Sequence, residues 1–156
     1  MVSAASVEAF VSQKKLALVG ASRSGSKMGN VILRELTSKG YTVYPVHPEA
    51  QTINDAPAFA SLGQLPEPVG GAIVCVKPER AEQVVREAKE AGIERVWLQQ
   101  GGESQEAIAF CESNGVDAIT KECILMFAEP VESIHRFHRF FKRLFGRMPT
   151  SGRMPA

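Results

Sequence analysis

Residues Leu16 to Asn30, LALVGASRSGSKMGN, constrain the fold more than any other stretch of the chain. A short apolar run closes on Gly20. A loop of small and hydroxyl residues follows, carrying Arg23 and Lys27, and a helical pattern starts at Met28. An apolar strand passing through a glycine loop into a helix is the unit with which parallel α/β folds hold phosphate, because loop amides and the positive helix end face the same point.

The rest of the chain repeats that alternation. Residues 3–14 set Val7, Phe10 and Val11 at helical spacing, which predicts a short amphipathic helix before the strand Leu16–Gly20. Met28–Ser38 places Val31, Ile32 and Leu36 on one helical face, and Gly40 supplies the stop. Tyr41–Val46 is rich in β-formers and is expected to be halted by Pro45 and Pro48, after which residues 49–70 read as irregular. The run AIVCV, Ala72–Val76, is apolar throughout, as a central parallel strand covered on both faces must be. Pro78 opens a helix through Ala91 with Gly92 as its stop; Arg95–Leu98, Glu103–Asn114 and Val116–Thr120 then predict strand, helix and strand. The pattern predicts a Rossmann-like, doubly wound parallel α/β sheet of about five strands in a single domain, residues 1–130.

Charge divides the 156 residues unequally. Residues 131–156 hold six Arg or Lys (Arg136, Arg139, Lys142, Arg143, Arg147, Arg153) against the single acid Glu132, while the remainder carries twelve basic and sixteen acidic residues. On a helical wheel Ile134, Phe137, Phe141, Leu144, Phe145 and Met148 share one stripe, which predicts a basic amphipathic helix over 131–148 and a disordered tail over 149–156. Such a stripe is expected to dock on the sheet or on a second subunit, giving a homodimer. An acidic membrane surface is the lesser alternative, and nucleic acid, the other, is not expected as a partner. No apolar run is long enough to span a bilayer, and the N-terminus lacks the pattern of an export signal. Cys75, Cys111 and Cys123 form an odd set without a CxxC pair, which argues against a disulfide scaffold or zinc site and for a reducing cytoplasm.

Two phosphate signatures fail in the loop. A P-loop has the spacing of Gly20 and Gly25, but Ser26 stands where the lysine belongs, and Met28 follows Lys27 where a magnesium-binding hydroxyl is needed. The dinucleotide fingerprint would have glycine at Ser22 and a ribose-gripping acid where His47 stands. Arg23 and Lys27 in the loop, His47 and Lys77 instead put positive or hydrogen-bonding groups at several strand ends, which share one edge in an open parallel sheet. Cations without a ribose-gripping acid suit a ligand carrying an extra phosphate near its ribose, and both NADP and coenzyme A qualify.

Five segments in register, VGASRSGSKMGN, GYTVYPVHP, FASL, LPEPVGGAIVCVKPE and AGIERVWLQQG, resemble the coenzyme A-binding Rossmann domain over roughly residues 10–125. That family includes small stand-alone proteins and the N-terminal module of the α subunits of succinyl-CoA synthetase and ADP-forming acetyl-CoA synthetase. The resemblance implies that Gly20, Ala21, Ser22, Arg23 and Ser24 receive the phosphates, with Lys27, Gly29 and Asn30 beside them. It implies that Val46, His47 and Pro48 flank the nucleotide, His47 standing where the family has asparagine. Val76, Lys77 and Pro78 would lie near the adenine or its ribose phosphate, and Gln99, Gln100 and Gly101 where the pantetheine arm passes. Cys123 matches a recurrent cysteine after the last strand.

The synthetases carry their phosphorylated histidine on a second domain; His47, His135 and His138 do not match its position. No Ser–His–Asp order, paired-carboxylate spacing or metal-ligand cluster rises above chance in the sequence, so no catalytic or metal-binding residue is expected. The reading is non-catalytic binding of coenzyme A or an acyl-CoA. The alternative is a short NADP(H)-binding enzyme, or a redox sensor using Cys123. Cys75, inside an apolar run, is expected to be a small buried hydrophobe.

Overall fold

Along residues 15–19, Leu16 and Leu18 turn to one side and Ala17 and Val19 to the other, and all four are buried. A strand buried on both faces needs a layer of helices on each. A computed structural model, which describes residues 2–129, supplies both layers. In chain order the elements are α1 (Ala4–Val11), β1 (Lys15–Val19), α2 (Met28–Ser38), β2 (Thr42–Val46), β3 (Thr52–Ile53), β4 (Ala56–Pro57), β5 (Gly71–Val74), α3 (Pro78–Glu90), β6 (Arg95–Gln99), α4 (Gln105–Ser113) and β7 (Asp117–Glu122). Single 3-10 turns cover Leu62–Gln64 and Ile124–Met126.

Five strands form one parallel sheet in the order β2-β1-β5-β6-β7. Side chains of α1 and α2, including Phe10, Ile32 and Leu36, pack with Leu16, Leu18, Ile73, Trp97 and Ile119 on one face. Side chains of α3 and α4, including Val84, Val85, Ala88 and Cys111, pack with Ala17, Val74, Val96 and Leu98 on the other. Trp97 is fully buried at the centre of the first layer. Its ring meets Phe10 edge-on at 5.4 Å between centroids, and its indole N–H donates to the Glu122 carbonyl at 2.9 Å. The expected Rossmann-like, doubly wound architecture is therefore the observed one.

The chain leaves β1 toward β2 on one side and returns to β5 on the other. That reversal opens a crevice at the carboxyl ends of β1 and β5, where open α/β sheets take ligands.

Three expectations need correction. Pro45 does not stop the second strand but lies inside β2, paired with Leu18. Its carbonyl accepts the Phe59 N–H at 3.0 Å on the outer side of the sheet, so its missing donor also faces that edge and costs β1 no hydrogen bond. Residues 49–70 are not irregular throughout: β3 and β4 pair as an antiparallel hairpin around Asn54 and Asp55, both left-handed at φ 50° and 63°. The first and last helices are also shorter than expected. Ser3 and Ser104 accept backbone N–H groups of Ser6 and Ala107, and these caps fix where α1 and α4 begin. The domain boundary at 130, the helix at 131–148, the tail at 149–156 and the homodimer through that helix lie outside the described residues.

Candidate functional site

Two helices begin at the crevice, and both begin without a side-chain cap. Serine hydroxyls cap α1 and α4, whereas Lys27 and Lys77 occupy the N-cap positions of α2 and α3 and make no capping bond there. A lysine side chain has no oxygen to accept an amide, so the first-turn N–H groups of α2 and α3 keep no side-chain partner at the N-cap. Each helix end thus adds its positive dipole to a lysine charge.

Glycines let the backbones close in around these ends. Gly20 follows β1 at φ 117°, and a Cβ on it would lie 2.1 Å from the Cys75 carbonyl oxygen at the end of β5. A Cβ on Gly29 would come within 2.9 Å of the Ala21 nitrogen, so the first turn of α2 sits directly on the loop backbone. The loop itself is moulded on Asn30, which is fully buried. Ser22 N–H donates to Asn30 Oδ1 at 2.8 Å, and Asn30 Nδ2 donates back to the Ser22 carbonyl at 2.8 Å. The hydroxyls of Ser22, Ser24 and Ser26 form an exposed ladder with 2.9 Å steps.

The crevice has a volume of about 750 Å³. Its walls join Gly20, Ala21, Ser22, Lys27 and Gly29 from the first loop to Val46, His47 and Pro48 after β2. Val76, Lys77 and Pro78 close it after β5, and Gln99, Gln100 and Gly101 after β6. Fourteen of the seventeen residues expected at a ligand site therefore line one crevice. Among the described residues its lining includes Lys27, Lys77 and Arg80 and no Asp or Glu.

Arg23, Ser24 and Asn30 do not line it. The Arg23 guanidinium turns to Glu49 at 3.4 Å on the exposed rim. Asn30 acts from beneath the loop, with its amide bonded to Ser22. The Ser22 N–H, bonded inward, is likewise not aimed at a ligand.

His47 holds the bend that follows β2. Its Nδ1 accepts the N–H groups of Glu49 and Ala50, both at 3.0 Å. That is the turn an asparagine oxygen builds with the amides two and three residues on, so His47 holds the same bend.

Gln99 is a buried polar group whose amide orientation is fixed by its partners. Its Oε1 accepts the Ile124 N–H at 3.1 Å, which turns Nε2 onto Cys123 Sγ at 2.9 Å.

Five lining residues, Val19, Met28, Cys75, Arg80 and Gly102, were not anticipated. Arg80 had a signal: it stands three residues after Lys77, on the same side of the first turn of α3. Cys75 corrects an expectation, for it lies just past β5 on the crevice wall rather than within the strand. Burial, reinforced by nearby Cys123, pushes the Cys75 thiol up to about 12.

Comparison with known proteins gives concordant results. The family model described as "CoA binding domain" matches residues 14–129. The chain is 29% identical over 141 residues to acetate–CoA ligase (ADP-forming) I of Archaeoglobus fulgidus, covering 81% of this chain and 20% of the ligase. It thus spans about a fifth of that relative's length. The uncharacterized protein YneT of Bacillus subtilis is 26% identical over 111 residues, 71% of this chain and 82% of YneT. A conserved hypothetical protein from Pyrococcus furiosus superposes with a TM-score of 0.68 at 41% identity, covering 72% of this chain and 97% of that structure.

Proposed function

The chain belongs to the CoA-binding domain family, and from that premise we propose that the crevice binds coenzyme A or an acyl-CoA without transforming it. The observation that carries the proposal is the pair of lysine-headed, uncapped helix ends at the β1/β5 switch point, with Arg80 beside them and no carboxylate in the lining among the described residues. Coenzyme A carries a pyrophosphate and a ribose phosphate, and two positive helix ends with three cations can serve both groups.

In this reading Gly20, Ala21, Ser22, Lys27 and Gly29 receive the pyrophosphate, while Asn30 gives the loop its shape and Arg23 and Ser24 stay on the rim. Val46, His47 and Pro48 form the bend beside the nucleoside. Val76, Lys77, Pro78 and Arg80 take the adenine side and the ribose phosphate. Gln99, Gln100 and Gly101 guide the pantetheine arm along the end of β6. The protein binds and presents the ligand. The setting is the cytoplasm, which agrees with three free thiols among the described residues.

A thermal-shift panel of coenzyme A, acetyl-CoA, 3′-dephospho-coenzyme A, NAD, NADP and ATP tests the proposal. A ligand present at 100 times its dissociation constant adds about 2.7 kcal/mol to folding stability. Coenzyme A and acetyl-CoA should raise the melting point most. A larger shift with NADP would favour the alternative of a short NADP(H)-binding enzyme, and no shift with millimolar coenzyme A would end the proposal.

A further inference from the structure

The anion loop is tied to a second element that lines no part of the crevice. Asn30 uses one face of its amide for Ser22 and the other for Asn54, at the tip of the β3–β4 hairpin. Asn30 Nδ2 donates to Asn54 Oδ1 at 3.1 Å, and Asn54 Nδ2 donates to the Asn30 carbonyl oxygen at 2.9 Å. Partners fix both amide orientations: the Ser22 N–H needs an oxygen opposite it, and the Asn30 carbonyl needs a donor. The hairpin is anchored twice elsewhere. Ile53 is buried in the core layer that includes Ile32 and Leu36, and Phe59, just after β4, bridges to Val46 on the edge of the sheet. Its tip keeps two consecutive non-glycine residues left-handed, Asn54 and Asp55, a conformation that asparagine and aspartate tolerate best among side-chain-bearing residues.

We propose that Asn54 is a positioning residue for the anion loop. Through Asn30 it holds the Ser22 backbone in the shape that presents the loop to phosphate, and the hairpin is the strut that carries it. This rests on the reading of the crevice as a coenzyme A site. Without the strut the core of the protein stays folded, because Asn54 is exposed and is not one of the residues of either core layer. What changes is the freedom of residues 20–27. Two hydrogen bonds of ordinary net strength correspond to roughly a tenfold change in an equilibrium constant.

The test uses two neighbouring variants of the full chain. Asn54→Gly keeps the left-handed turn and removes only the clasp. Asp55→Gly relieves the adjacent left-handed residue and leaves both hydrogen bonds of the clasp in place. Amide hydrogen exchange of the ligand-free protein is read at Ser22 and in β5, and coenzyme A affinity is measured by calorimetry. The expected result for Asn54→Gly is about tenfold faster exchange at Ser22, exchange in β5 faster by no more than that factor, a melting point lowered by no more than two ordinary hydrogen bonds account for, and about tenfold weaker binding. Asp55→Gly should match the parent within about twofold in both measurements. Unchanged Ser22 exchange in Asn54→Gly, or faster Ser22 exchange with undiminished affinity, would each overturn the proposal. If the parent chain binds no coenzyme A, the functional reading fails, and Ser22 exchange still decides whether the clasp holds the loop.

Discussion

The Cβ that Gly20 lacks would stand 2.1 Å from the carbonyl oxygen of Cys75, so the loop after β1 and the end of β5 meet backbone to backbone. This contact closes the floor of the crevice at the switch point of the sheet. No side chain fits there, and at φ 117° no L-residue is comfortable.

Gly20→Ala should therefore be costly in two ways, through overpacking against backbone and through strain. About 2–4 kcal/mol of folding stability should be lost, read from urea denaturation. A variant as stable as the parent would mean that the two strand ends can part freely.

Arg23 and Lys27 lie in the same loop but should behave differently. Arg23 pairs with Glu49 on the exposed rim, and exposed ion pairs contribute little. Arg23→Ala should change coenzyme A affinity by no more than about threefold, whereas Lys27→Ala, which removes a cation from the crevice wall, should weaken it about tenfold. Equal effects in calorimetric titration would place Arg23 back among the ligand contacts.

Lys77 heads α3 on the opposite side of the switch point. If it meets the ribose phosphate, Lys77→Ala should bind coenzyme A about tenfold more weakly and leave 3′-dephospho-coenzyme A nearly unaffected. The two ligands, well separated for the parent protein, should converge for the variant. A uniform loss for both would move Lys77 to the pyrophosphate.

Three buried groups predict an alkaline limit to stability. Burial, with Cys123 adding to it, pushes the Cys75 thiol up to about 12, and burial with Glu112 pushes Cys111 up to about 11. Burial with Glu129 pushes the Tyr41 phenol up to about 12, where its hydroxyl donates to the Val11 carbonyl. All three are raised, so the folded chain keeps protons that the unfolded chain releases. Their contribution is intact below about pH 9 and is lost as pH climbs from there toward 12, by up to about 1.4 kcal/mol per pH unit for each group. Urea midpoints should fall between pH 8 and 10.5, and less steeply above pH 10 in Tyr41→Phe. A flat profile would show that these groups are not held neutral by the fold.

Much of this arrangement was legible in the chain because burial on both faces leaves a plain mark. AIVCV, the helix opened by Pro78 and the loop at Gly20 each declare themselves locally, and their order dictates the sheet. Pro45 misled because its place in β2 depends on Phe59, fourteen residues on, serving the outer edge. The hairpin was hidden by its size, two residues in each strand, although Asn54-Asp55 between Thr-Ile and Ala-Pro carries a turn signal. At the crevice, residue type identified the cations but not their aim. Arg23 and Lys27 look alike in sequence, and only the position of Glu49 separates them. Asn30 and Ser22 were recognised as belonging to the loop, and their mutual bonds could not be read without its fold.

The most direct test of the central claim is calorimetric titration of the full chain with coenzyme A at low and at high salt. The prediction is saturable binding with one ligand per chain, weakened by salt because three crevice cations meet phosphate, and undiminished by equimolar NAD. No heat of binding at millimolar coenzyme A, or binding that NAD displaces at equal concentration, would contradict it.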